Sequence, residues 1–353
     1  MIQIITTIFL LPIIFFNSLY SLTQPPIVKK PQQINVKGIY ITAYTVSYPT
    51  RYDKLVKLVE DTELNAIVID LKDYTGHVLY DSKIPLVNQL GTEDIVIADV
   101  KALVDKLKEK GIYTIARIAV FQDPKLAETK PEWALKNKKT GKLWRDYKGL
   151  AWVDTSNKKV WNYNLAIAKE AVDFGFDEIN LDYIRFPSDG DILDIDYAYT
   201  ENTKKVEVMK EFFRYFGTSM AAEPVYTSVD LFGMTLTMDD GLNIGQRIED
   251  AAPYFDYICP MVYPSHYPRT FRGYNNPADY PYEIINLSLE EGKDKLKNTK
   301  AKYRPWLQDF DLGAIYDASM IRKQIQAVYD NDGAGWMLWN ASNNYTSSAL
   351  KRE

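Results

Sequence analysis

The sequence has one cysteine, Cys259, and two histidines, His77 and His266. A lone thiol closes no internal disulfide, and one Cys with two His does not make up the usual zinc ligand set, so neither a disulfide scaffold nor a His-rich metal centre is expected. Cys259 stands in the apolar run Asp256-Tyr-Ile-Cys-Pro-Met and reads as a small buried hydrophobe. A glycine-rich phosphate cradle is also missing: no Gly-x-Gly-x-x-Gly follows a β-rich run, and there is no Walker sequence. Nor is there an excess of positive charge. The formal net charge is −5, with Lys and Arg spread along the chain, so the cationic footprint that a phosphate backbone needs is absent. Nucleic acid is not an expected partner, and no cofactor is implied.

What remains is an ordinary globular balance, 46% hydrophobic and 25% charged over 353 residues, enough for one large domain. Aromatics are plentiful, with 26 Tyr, 14 Phe and 7 Trp. Most should fill the core, and those at strand ends are placed to stack on the apolar faces of sugars. Residues 2–22 form an apolar block that reads as a secretory signal cleaved after Ser21, or as a membrane anchor. The expected location is therefore secreted or tethered to the outer face of the membrane. Residues 23–35, with Pro25, Pro26, Pro31, Lys29 and Lys30, suit an extended linker. The folded body should span 36–345, followed by a tail at 346–353.

Within that body, short β-rich runs alternate eight times with amphipathic stretches. The predicted strands are 36–42, 66–70, 113–120, 178–184, 225–231, 257–263, 304–310 and 335–340. The predicted helices lie near 51–62, 95–110, 158–174, 203–216, 245–251, 287–301 and 318–329. Helices between strands at this spacing require parallel pairing, and eight such units close most naturally into a single-domain α/β fold, the (β/α)8 TIM barrel. A doubly wound nucleotide-binding sheet is the runner-up.

In such a barrel the functional groups stand at the C-terminal ends of the strands. Strand four, Phe176-Asp-Glu-Ile-Asn-Leu-Asp-Tyr-Ile-Arg-Phe-Pro187, is the most informative. Period-two alternation puts Glu178, Asn180 and Asp182 inside the barrel, with Ile179, Leu181 and Tyr183 towards the helices. Three inward polar groups are costly unless they satisfy one another or serve a site. Asp182, nearest the mouth, is the catalytic candidate; the competing reading is a structural tie to Arg185 or to the following loop. Asp230 ends strand five at similar height and is the candidate acid/base, with Asp70 and Asp309 as substitutes. Lys72 beside Asp70 should keep that carboxyl ionised and suited to binding. Arg117, Arg185, Tyr263, His266, Gln308, Trp339 and Asn340 complete the expected substrate-binding set. Tyr44, Phe121, Phe186, Tyr267 and Trp306 are further aromatic candidates. Two long insertions, 123–154 and 264–282, should wall a cleft.

The runs Val36-Lys-Gly-Ile-Tyr-Ile-Thr, Ile69-Asp-Leu-Lys-Asp-Tyr-Thr-Gly76, 176–187, Tyr257-Ile-Cys-Pro-Met-Val-Tyr-Pro-Ser-His266, Arg304-Pro-Trp-Leu-Gln-Asp-Phe310 and Gly335-Trp-Met-Leu-Trp-Asn340 together resemble a bacterial family of glycoside-hydrolase-like TIM barrels. The resemblance runs from Val36 to Tyr345 and implies action on extracellular or cell-wall polysaccharide. A more distant similarity is to the family 18 chitinases. In that alignment Asn180 and Asp182 match Asp positions, and Ile184 stands where a catalytic Glu would be. Two readings follow: an O-glycosidase using two carboxylates, or a non-catalytic barrel that binds glycan at the cell envelope. A metal-dependent deacetylase is a third, disfavoured by the shortage of histidines.

Overall fold

The computed structural model describes residues 29–198 and 203–352. The apolar block at 2–22 and the first part of the linker, 23–28, lie outside the described residues. Eight parallel strands form a closed barrel: β1 (Val36–Ile41), β2 (Ala66–Lys72), β3 (Tyr113–Ala119), β4 (Glu178–Asp182), β5 (Tyr226–Phe232), β6 (Tyr257–Met261), β7 (Trp306–Gln308) and β8 (Gly335–Trp339). Closure is made by β1, which pairs with β2 on one side (Ile39 with Ile67) and with β8 on the other (Ile39 with Leu338). The single-domain (β/α)8 barrel expected from the alternation is the observed fold.

The main helices between successive barrel strands are α1 (Pro49–Glu60), α2 (Val100–Glu109), α3 (Lys158–Asp173), α4 (Lys205–Met220), α5 (Ile248–Ala251), α6 (Pro281–Gly292) and α7 (Ala318–Asp330); further short helices lie at Ala43–Val46, Pro85–Leu90 and Pro124–Thr129. Their starts follow local chemistry. Asp99, Asn157 and Asp317 accept from backbone amides of the first turns of α2, α3 and α7, each at 2.9 Å, and Pro281 opens α6. Two boundaries differ from expectation. Glu93–Ile97 is a strand lying parallel to Val78–Tyr80, so the second helix begins at Val100 and not at Ile95. The sixth helix is Pro281–Gly292, earlier than 287–301, because Pro281 supplies a helix-ready φ at its first turn.

One apolar layer lies between barrel and helices and includes Ile67, Ile69, Leu181, Phe212 and Ile325. A second fills the barrel interior, with Tyr40, Val68, Ile115, Cys259, Trp306 and Met337. Inside it the base carries a fully buried ion pair: Arg304 Nη1 donates to Glu178 Oε2 at 2.6 Å, both side chains 0% exposed. Tyr113 donates to the same oxygen at 3.1 Å, and the Arg304 guanidinium lies 3.5 Å from the Tyr257 ring centre. One level up, Asn180 Nδ2 donates to Ser228 Oγ and to Asp230 Oδ1. Each inward polar residue of β4 thus has a partner, although Glu178 Oε1 and Asn180 Oδ1 accept no hydrogen bond among the described residues.

Below the barrel, Lys30 reaches Asp256 at 2.9 Å, and Gln33 donates to Tyr257, so the end of the linker docks on the body. The segment after β8 also packs on it: Ala349 and Leu350 are buried, and the Glu63 amide donates to Lys351 O. Removing one member of a buried pair strands the other charge, so Arg304→Met is expected to cost about 3–5 kcal/mol, read as a lowered urea midpoint. A variant with both Arg304 and Glu178 made apolar should recover much of that loss; an unchanged midpoint in the single variant would show that the pair does not hold the base.

Candidate active site

β4 ends at Asp182 because Tyr183 takes a positive φ of 52°, a conformation that non-glycine residues seldom adopt and that clusters at functional sites. Backbone bonds hold the turn, from Val120 N to Asp182 O at 2.9 Å and from Phe121 N to Tyr183 O at 3.3 Å. The turn corrects the expected alternation: Tyr183 does not continue the outward face but lines the cleft at the barrel mouth. Ile184 is fully buried beyond the strand, so Asp182 is the last acid of the ladder.

The cleft has a volume of about 410 Å³. Asp182, Asp230, Arg117, Arg185, Tyr263, His266, Trp306 and Trp339 all line it. Arg117 stands on β3 between two carboxylates. Its Nη1 donates to Asp70 Oδ1 at 2.5 Å and its Nη2 to Asp182 Oδ2. Asp182 Oδ1 accepts from the Tyr183 amide at 2.6 Å, so both its oxygens are oriented. The structural ties of Asp182 are therefore with the amide of the following loop, as weighed, and with Arg117 in place of Arg185. Tyr40 donates to Asp70 Oδ2 at 2.5 Å and stacks on Trp339, with ring centres 4.2 Å apart. The Arg117 guanidinium lies 5.3 Å from the Tyr40 ring centre and 5.1 Å from that of Trp339. Burial opposes its charge, but Asp70 and Asp182 outweigh burial and leave the guanidinium above its ordinary value.

Asp230 is almost fully buried, and its Oδ1 accepts from Asn180 Nδ2 and Trp306 Nε1, both at 2.8 Å. β4 and β5 pair in matched register up to Leu181 and Val229, so Asp182 and Asp230 stand one step further on neighbouring strands. Burial, and after it the negative charge of Asp182, push the Asp230 carboxyl well above the ordinary aspartate range, against Arg117, Asn180 and Trp306. Burial also raises Asp70, opposed by Arg117 and Tyr40, and lowers His266. His266 Nδ1 lies 3.0 Å from Ser265 Oγ.

Several expected site residues lie elsewhere. Lys72 is fully buried in the helix layer, where its Nζ reaches Asp123 at 2.7 Å and the Asn164 side chain at 3.2 Å. A register shift in β2 between Asp70 and Lys72 turns it outward, so Arg117 and not Lys72 is the cation at Asp70. Gln308 accepts from Ser265 N and Oγ and so holds the loop that carries His266. Asp309 accepts from Thr346 N and Oγ1, and Asn340 Oδ1 accepts from Ser342 N and Oγ. These three tie loops together behind the cleft. Phe121 and Phe186 are core, and Tyr44 is exposed and donates to Asp94. Sequence reasoning missed Lys148, Phe232, Met234 and Met261, which also line the cleft. Lys148 sits on a tight turn organised by Asp146, whose Oδ1 accepts from the amides of Lys148 and Leu150 at 2.9 Å and whose Oδ2 accepts from Trp152.

Fold and site together define a glycoside hydrolase built on a (β/α)8 barrel. Residues 38–345 match a family described as "Putative glycosyl hydrolase domain", and the chain belongs to that family. A comparison with curated proteins gives no match. Among solved structures, a hypothetical protein from Ruminiclostridium thermocellum is 37% identical over 54% of this chain and 96% of that one, with a TM-score of 0.48. The PgaB (BpsB) glycoside hydrolase domain from Bordetella bronchiseptica is 11% identical, covering 88% of this chain and 94% of that one at a TM-score of 0.61. The spore cortex-lytic enzyme SleL from Bacillus megaterium is 11% identical, covering 91% and 74% at 0.52. These last two show a shared fold.

The raised Asp230 value has a consequence for stability. Between about pH 3.9, where an unfolded aspartate loses its proton, and the higher folded value, the folded state keeps a proton that the unfolded state has released. Stability therefore falls as pH rises through that window. Asp230→Asn, which keeps the shape and the neutrality, is expected to remove this fall; unfolding midpoints from pH 4 to 8 that run parallel in both proteins would contradict it.

Proposed function

We propose that the protein hydrolyses O-glycosidic bonds of an extracellular or cell-wall polysaccharide by a two-carboxylate mechanism. Asp230 is the proton donor and Asp182 the nucleophile or base. The observation that carries this reading is the opposed state of two carboxyls at one mouth. One is buried and pushed towards its protonated form; the other is paired with Arg117 and oriented by a backbone amide. Glycoside hydrolysis needs that division between an acid that protonates the leaving oxygen and a base that meets the sugar cation. Although both Asp182 oxygens are engaged, each keeps a second lone-pair direction for the reacting carbon or water. Trp339, half-buried on the cleft wall, offers a ring for a sugar face.

Export to the outside of the cell is supported by the apolar block at 2–22 and the Pro/Lys segment after it; recovery of the protein only from cytoplasm would contradict it.

The test is turnover of a panel of bacterial polysaccharides by the unmodified protein and by Asp182→Asn and Asp230→Asn. Both variants should lose about 100- to 10,000-fold in rate, and the unmodified rate should fall at high pH as Asp230 ionises. Unchanged hydrolysis in Asp182→Asn contradicts the reading. So does tight oligosaccharide binding without turnover by the unmodified protein, which would fit the glycan-binding alternative.

A further inference from the structure

Two cations of the cleft, Arg185 and Lys148, take no part in the proton and nucleophile chemistry of Asp230 and Asp182. Neither forms an ion pair among the described residues, although Arg185 is only 8% exposed. Its guanidinium is caged by three rings, with centres at 4.8 Å (Trp152), 5.6 Å (Tyr183) and 4.9 Å (Phe232). Nη1 donates to Phe186 O at 3.1 Å and Ser188 Oγ at 3.0 Å, which fixes the plane, and Nε and Nη2 make no hydrogen bond among the described residues. Burial pulls Arg185 below its ordinary value, and the nearby Tyr183, Asp182, Asp189 and Asp146 offset this only in part. Lys148, exposed at the rim, is presented by the Asp146 turn of the same wall that supplies Trp152.

The charge balance of the cleft makes these two residues stand out. Arg117 is matched by Asp182 and Asp70. Asp230 and His266 are both driven by burial towards their neutral forms. Arg185 feels Asp182, Asp189 and Asp146 through space but pairs directly with none of them, so the cations of the cleft without a direct carboxylate partner among the described residues are Arg185 and Lys148. A guanidinium with one edge tied down, its faces covered by rings and its other edge open is suited to a planar group with two oxygens, which it can meet with two parallel N–H bonds.

We propose that the cleft recognises a carboxylate-bearing sugar, a hexuronate unit of the polysaccharide, whose carboxylate is held by the open edge of Arg185 with Lys148 beside it. The inference rests on the glycosidase reading for the identity of the ligand as a sugar chain, and it names the class of chain.

Equilibrium binding to the Asp230→Asn protein tests it, because that change keeps the carboxyl's shape and neutrality while stopping turnover. The probes are trimers from polygalacturonate and polymannuronate, each beside its carboxyl-reduced neutral counterpart, and a sulfated galactan trimer. At least one uronate trimer should bind about tenfold or more tightly than its reduced form, the scale of a charge-assisted pair. Adding Arg185→Gln should erase that preference while leaving affinity for the reduced trimer unchanged. Adding Lys148→Ala at the exposed rim should shrink it by about two- to threefold. Equal binding of the reduced forms, preference for the sulfated trimer, no uronate binding, or a preference that survives both substitutions overturns the proposal. Since binding is read and not turnover, those outcomes leave the catalytic reading standing, and failure of hydrolysis leaves this one standing.

Discussion

The site depends on the position of one guanidinium. Arg117 rises from β3 between β2 and β4, and its two terminal nitrogens reach an aspartate on each neighbour. With Tyr40 and Trp339 against it, the side chain has little freedom. This arrangement fixes the Asp182 carboxyl in place at the barrel mouth. Burial first, and the charge of Asp182 after it, drive the neighbouring Asp230 towards its protonated form. An acid and a base on adjacent strands are thus made unlike by their surroundings and not by residue type, since both are aspartates.

The same logic runs down the barrel. At the base, Glu178 meets Arg304; at mid-height, Asn180 meets Ser228 and Asp230; at the mouth, Asp182 meets Arg117. A polar interior survives burial only when each group has a partner. Asn180 has a second role here, because its amide holds the Asp230 carboxyl while itself standing in the ladder. Structural pairing below therefore continues into chemistry above without a break in pattern, and the mouth differs mainly in being open to a ligand.

Much of this was legible in the sequence. Alternating apolar runs and amphipathic stretches gave the barrel, and the polar positions of β4 pointed inward to Asp182 because period-two alternation holds from Glu178 to Asp182. It failed one residue later, where Tyr183 adopts a positive φ that no pattern of residue types announced. It failed again at Lys72, where a shift in β2 reverses the face that alternation assigns. Gln308, Asp309 and Asn340 end strands as expected, yet their side chains are spent on loops, a choice set by tertiary neighbours such as Ser265 and Thr346. Lys148 was invisible for a different reason. It is one of several lysines in a long insertion, and only the Asp146 turn selects it for the cleft.

The most direct test of the coupling between the two aspartates is a carbon-13 NMR titration of the Asp230 carboxyl in the unmodified protein and in the Asp182→Asn variant. The account predicts a titration well above that of an ordinary aspartate, moving downward when the charge at 182 is removed. A carboxyl at 230 that titrates in the ordinary range, or one indifferent to the change at 182, would contradict it.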